Sequence, residues 1–292
     1  LGCQRIISEH GGIKAVARLI GSNVSQTSRR GWDVLRYMCR CDCQQRLIDE
    51  GCLEVLVFLK NSSGGDSSSK NENPTVMHNL SALVAFLLRS EDGRAKLVNE
   101  SMSLLADMCT VYDGSVEIAT RRFASEVACR LSGDDRTSRI FVVRGGLSYL
   151  SDLCRGHFKR SEETADGFSY DSYTRAMLTT AFLQISMHAE NVNNMVEAGC
   201  ITDLEGLAAT SDISILEKII AVLRSLAWRE KNHESLVHNY HVVRLLGDIV
   251  KKAPCTQAMR LDCADAICNL SYHLSSASYH DMVQDGVIDI LV

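Results

Sequence analysis

Proline is almost missing from this chain, at 2 of 292 residues. Each proline inside a helix removes a backbone hydrogen bond and clashes with the preceding turn. Its scarcity argues against a loop-rich sandwich and for long helices. No uninterrupted apolar stretch approaches the roughly 20 residues that span a bilayer as a helix, so a membrane span is excluded. An excess of positive charge is missing too, since 31 Lys+Arg stand against 36 Asp+Glu for a net charge of −5. Nucleic-acid and anionic-membrane binders need the opposite sign, so neither is expected as a main role. The phosphate-loop, dinucleotide, zincin and nucleophile-elbow signatures are also absent. The chain opens at Leu1 with no basic-then-apolar leader, and reads as a piece of something longer without a secretion signal.

What is present is an ordinary globular mixture, 46% hydrophobic and 23% charged, with 12 cysteines. Cys109, Cys129, Cys154, Cys200, Cys263 and Cys268 fall inside apolar helical patterns, as free thiols do when they act as small hydrophobes. Cys39, Cys41 and Cys43 are spaced by two. On a helix that spacing turns successive thiols about 200° apart, which suits a helix end with accessible thiols better than a zinc site. His238 and His241 share a helical spacing but show no acid or cysteine partner in the sequence nearby, so a ligand role is not expected. No metal and no cofactor is expected anywhere in the chain. Residues 61–70, rich in Ser, read as an inert loop rather than a phosphate acceptor.

An internal repeat organises the whole sequence. An aliphatic residue, a short polar step often holding Gly, and an apolar triad at i, i+3, i+6 recur together. The triads are Ile13/Val16/Leu19, Leu53/Leu56/Leu59, Met102/Leu105/Met108, Leu147/Leu150/Leu153, Ile201/Leu204/Leu207 and Val243/Leu246/Ile249, with Ile288/Leu291 last. Their first members are 40, 49, 45, 54, 42 and 45 positions apart. The longest gaps hold the most polar stretches, 61–74 and 155–172, which read as surface loop insertions. Each Gly suits a sharp turn between two short helices. A longer amphipathic helix follows each triad, at 28–40, 75–88, 119–131, 172–186, 214–228 and 257–272.

A period of about 40–47 with two or three helices is the signature of armadillo or HEAT repeats, and the Gly turn with a third helix favours armadillo. The expected fold is all-α: one armadillo-repeat domain over 1–292, a right-handed superhelical solenoid of six to seven units, truncated at both ends. Stacked units bury a continuous core, and the third helices line a concave peptide-binding groove.

The phrases SIL…IIAVLRSLAWRE (214–230), DAICNLSYH (265–273) and YDSYTRAMLTTAFLQIS (170–186) resemble the armadillo domain of the adenomatous polyposis coli (APC) tumour-suppressor family. SRRGWDVLRYMCRCDCQQRLIDEGCLEVLVFL (28–59), followed by a polar insert and an aliphatic helix, is similar to the first unit of that family. The resemblance covers roughly 25–292, stronger in order than in identity, as for a divergent member. It implies a scaffold of Wnt signalling, the cytoskeleton and cell polarity, in the cytoplasm and at the cell cortex, on microtubules and in the nucleus. It implies extended-peptide partners of the Rho exchange factor, kinesin accessory and adaptor types. The family's β-catenin-binding and axin-binding regions would lie outside this segment.

The same resemblance assigns groove roles to Arg224, Trp228 and Asn269, with His273 one turn on. Gln184, Met187 and Ser225 stand where the family has Asn, Phe and Asn, and Asn191 or Asn193 where it has Lys. Arg130 occupies an equivalent place in an earlier repeat, as a groove residue or a solvated charge. Independently of any family, Arg224 and Trp228 share a helix face and offer a cation and an aromatic wall to an acidic and apolar peptide. Asn269 can pair with a partner's backbone. Trp228 could alternatively pack on the next repeat.

A nuclear-transport reading is disfavoured, since no Trp ladder stands at Asp33, Glu126, Thr180, Ala221 and Asp265, four before Tyr37, Arg130, Gln184, Ser225 and Asn269. The remaining alternatives are a generic armadillo adaptor and a regulatory module of a larger enzyme whose catalytic domain lies elsewhere.

Overall fold

The structure, a computed structural model, describes residues 12–20, 25–39, 44–63, 74–100, 102, 104–105, 118–163, 172–252, 254–272 and 274–291. Among these residues there is no strand. The chain divides into two compact units at Leu131/Ser132.

The first unit contains α1 (Gly12–Ile20), α2 (Ser25–Cys39), α3 (Gln44–Asp49), α4 (Cys52–Ser63), α5 (Pro74–Leu87), α6 (Glu91–Glu100) and α7 (Ile118–Ser132), which runs to the boundary. Trp32, Leu35 and Met38 fall on one face of α2 and are buried, as helical periodicity requires of a core-facing stripe. That helix packs on α1 and α5, while α3 packs on α4, α5 and α6. Ser90 starts α6 by accepting from the Gly93 N–H at 3.0 Å, a side-chain cap for an otherwise orphaned donor.

The second unit repeats a three-part plan. Its helices are α8 (Asp135–Val143), α9 (Gly146–Glu163), α10 (Ser172–Ser186), α11 (Ala189–Glu197), α12 (Cys200–Leu207) and α13 (Ile213–Ala227). A 3-10 turn (Glu230–Asn232) and a π turn (Ser235–Asn239) stand in for the next first helix. Then come α14 (Val242–Lys252), α15 (Gln257–Leu270), α16 (Ser276–Gln284) and α17 (Val287–Leu291). The third helices form a row in which α13 packs against both α10 and α15. Second helices pair as α9 with α12 and α14 with α17. Asp134, Asp212, Thr256 and Ser275 cap α8, α13, α15 and α16 by accepting backbone N–H groups.

The turn between first and second helices needs a left-handed residue. Gly51, Gly145, Gly199 and Gly286 supply it with φ of 83°, 92°, 75° and 84°. The third repeat of the second unit has His241 there instead, at φ 48°.

The long helices fall within a few residues of the ranges expected from periodicity. The triads Leu147/Leu150/Leu153, Ile201/Leu204/Leu207 and Val243/Leu246/Ile249 are buried. Leu19 and Ile288 are exposed, at 43% and 61%, because no described helix lies beyond α1 or α17 to cover them. Met108 lies outside the described residues, as do the side chains of Leu59 and Leu291.

The expected loop at 155–172 is corrected in its first half. Helix α9 continues through Glu163, since a polar sequence with no proline can prolong a helix that its buried first turns have already nucleated. Likewise α4 extends to Ser63, and α5 begins at Pro74. The stretches 64–73 and 164–171 lie outside the described residues.

Cys154, Cys200 and Cys263 are buried as expected, Cys129 is half-buried, and Cys268 is exposed on α15. Cys41, Cys43 and Cys109 and the side chain of Cys39 lie outside the described residues.

Candidate peptide-binding surface

In the second unit, three adjacent third helices present matching positions. Met187 follows α10, Trp228 caps α13 and Tyr272 follows α15, and they are 74%, 73% and 58% exposed. Aliphatic faces hold the helices in place beneath them. In α13 these are Ile215, Ile219, Val222, Leu223 and Leu226, all buried. Polar bridges tie the row together. Lys218 Nζ donates to Thr180 Oγ1 at 3.0 Å, and Thr256 Oγ1 donates to Glu217 Oε1 at 2.9 Å.

Trp228 is not packed on the next repeat, and its indole stands open to solvent. Arg224, one turn earlier and expected to offer its cation to a peptide, already faces acids of this chain. Its Nη1 lies 2.5 Å from Asp262 Oδ1 and 3.9 Å from Asp265 Oδ2, both on α15. The two acids reach it because α15 packs along α13, a neighbour relation that no local spacing reveals. Asp262 was missed in the sequence. Its signal was its place, within one repeat length of Arg224, on the helix that stacks beside it.

Asn269 sits one turn beyond Asp265 on α15 and is half-buried, and its side-chain amide makes no hydrogen bond to any described residue. Gln184 is half-buried in the last turn of α10. Ser225 is less available, because its Oγ donates to the Ala221 carbonyl at 3.0 Å. Arg130 belongs to the first unit and is not a free charge. Its Nε and Nη2 donate to Glu126 Oε1 at 3.0 and 2.6 Å. Asn191 is buried and directed to Ser138 on α8, so it works within the stack. His273 lies outside the described residues.

His238 and His241 do have acid partners, contrary to the sequence reading. His238 Nδ1 lies 2.7 Å from Asp281 Oδ2, and His241 Nδ1 lies 3.1 Å from Asp285 Oδ2. The acids come from the next repeat, out of reach of a local pattern.

Burial pushes the thiols of Cys52, Cys200 and Cys263 up to about 12, which removes the thiolate that nucleophilic chemistry needs. Among the described residues, no group of three His, Cys, Asp or Glu side chains could hold a metal ion. No described helix is long and apolar enough to cross a membrane.

No protein-family model and no curated protein matches this sequence. Solved structures do. A computationally designed armadillo repeat protein for modular peptide recognition is 15% identical, over 87% of this chain and 98% of its own, with a TM-score of 0.62. A designed armadillo repeat protein in complex with the peptide (KR)4 is also 15% identical, over 88% and 98%, with a TM-score of 0.60. An engineered protein is 17% identical, over 98% of this chain and 64% of its own, with a TM-score of 0.64. The class these relations define is the all-α armadillo-repeat fold. At such identities the likeness is one of architecture.

Proposed function

We propose that this chain is a non-enzymatic interaction module that binds an extended segment of a partner protein across α10, α13 and α15. The observation that carries this reading is the exposed row Met187, Trp228 and Tyr272 beside the Asn269 amide, which has no hydrogen-bond partner among the described residues. Large apolar side chains left open on a regular surface mark interaction sites. Apolar side chains of the ligand would lie on that row, and Asn269 would pair with its backbone. Asp262 and Asp265 already offset part of the Arg224 charge, so an acidic ligand side chain would meet a weakened cation, and charge tunes this site more than it drives it. The peptide recognition named for the designed structures supports the same use of the fold.

The APC resemblance extends the proposal to a divergent member of that family in Wnt signalling and cytoskeletal control. Its partners would be Rho exchange factors, kinesin accessory subunits or adaptors, in the cytoplasm, at the cell cortex, on microtubules and in the nucleus.

The test is selection of peptides from a random displayed library on the 292-residue chain. Trp228→Ala and Asn269→Ala should each weaken the selected peptides by about tenfold or more, as loss of a central anchor does. Folding stability should move by no more than about 0.5 kcal/mol in Trp228→Ala, as for an exposed position, and the Asn269→Ala loss of binding should exceed its loss of stability. Peptides that bind both variants as well as the parent would show that the row is not the binding surface.

A further inference from the structure

Between α9 and α12, helices outside the α10/α13/α15 row, lies a cleft of about 470 Å³. That volume is within the roughly 300–1,000 Å³ of small-ligand sites. Its walls include Ser151, Arg155, Thr202, Asp203, Glu205 and Gly206.

Asp203 is the one buried acid among the described residues, at 6% exposure. The Ser151 hydroxyl donates to its Oδ2, and no described Lys, Arg or His nitrogen lies within 4.0 Å of it. Burial holds its carboxyl above the usual carboxylate range, against the pull of the Ser151 hydrogen bond and the Arg155 charge. Arg155 itself turns to Asp152, 3.7 Å away, and its side chain is 67% exposed. Among the described residues this buried carboxyl has one hydroxyl in hydrogen-bond contact and only the more distant Arg155 charge beside it, an incomplete arrangement, because removing an ion from water is costly unless a counter-charge sits close to it. Asp203 also lines an open cleft, where a counter-charge can enter from outside.

We propose that this cleft receives the cationic head of a partner protein's side chain, a guanidinium or an ammonium, seated on Asp203. Thr202 and Glu205 supply further acceptors on the walls. Ser151 stays hydrogen-bonded to Oδ2 and holds the carboxylate in place. Arg155 is the competing cation on the cleft wall, tethered loosely enough to yield.

The probes are Nα-acetyl-arginine amide and Nα-acetyl-lysine amide, with Nα-acetyl-citrulline amide as the neutral counterpart. Binding is read from the backbone amide NMR signals of Thr202 and Gly206 in the full chain. One or both cations should give saturable shifts there, the stronger naming the preferred head group, and citrulline should give none. Asp203→Asn keeps an acceptor for Ser151 and removes the charge, and should weaken binding by about tenfold, as loss of a charge-assisted pair does. Arg155→Ala removes the competitor from an exposed position and should tighten binding. Trp228→Ala should change nothing, which separates this site from the peptide row. Equal response to citrulline, unchanged affinity in Asp203→Asn, or weaker binding in Arg155→Ala would each overturn the proposal. If Asp203→Asn does not fold, the direction of the Arg155→Ala change decides.

Discussion

His241 holds a backbone conformation that its β-carbon disfavours. Its φ of 48° belongs to the left-handed region, and four equivalent turns in the chain use Gly. A side chain there costs of order 1–3 kcal/mol, offset only in part by the hydrogen-bond contact with Asp285. His241→Gly should therefore raise the urea midpoint, by about 0.5–1 kcal/mol of stability. His241→Val should lower it, because a β-branched residue suits that region least. His238 makes a different prediction. The hydrogen bond and charge of Asp281 raise its folded pKa above the ordinary value. A raised histidine stabilises the fold below its unfolded pKa of about 6.5, and that contribution is lost as pH rises through the folded value. The stability difference between the parent and Asp281→Asn should therefore grow from pH 8 down to pH 6, with an imidazole NMR titration showing a lower His238 pKa in the variant. Neither pair could be read from sequence, because each joins a histidine to an acid more than forty positions later. Local spacing assigns a residue to a helix face, but the identity of the neighbour on that face depends on how the repeats stack.

Single elements were far more readable. Helices α10 and α13 lie at 172–186 and 213–227, against expectations of 172–186 and 214–228, because hydrophobic period and capping residues both act within a few turns. Less visible are the polar clamps that hold one repeat to the next. Arg175 is buried in α10, and its Nη1 donates to the Leu207 carbonyl at the end of α12 at 2.9 Å. A cation there complements the negative end of the helix. Replacing Arg175 with Met keeps an unbranched stem and strands the carbonyl, so Arg175→Met should cost about 1–3 kcal/mol. The loss is measurable in denaturant, with faster amide exchange at the end of α12. His233 plays a comparable part, with ring nitrogens 2.8 Å from the carbonyls of Ala227 and Tyr272. Tyr240 donates to the Val196 carbonyl at 3.2 Å. Glu234 accepts from the Ser275 N–H at 2.6 Å and from the Ser278 hydroxyl, and these bonds lower its pKa. The support it gives α16 is present above its unfolded pKa and is lost as pH falls through the lowered folded value.

A stack whose repeats touch only their neighbours distributes its stability along the chain, approximately as a sum of unit and nearest-neighbour terms. A local cavity should then unfold its own surroundings without dissolving distant repeats, and the chain carries a natural reporter for the distinction. Of its two tryptophans, Trp32 is buried in the first unit and Trp228 stands open in the second. A change in indole environment on unfolding therefore reports mainly on the first unit. Leu223, fully buried in α13, belongs to the second. Leu223→Ala should remove about 2–5 kcal/mol from its surroundings, the range for a leucine truncated in a core. The expected result is an earlier phase in the helical circular dichroism on urea addition, with faster amide exchange across α13 and α15. The Trp32 emission transition should stay in place, and two-state analysis of the whole chain should fail. If both signals move together by the same amount, the chain unfolds as one cooperative body, and the nearest-neighbour description does not hold for it.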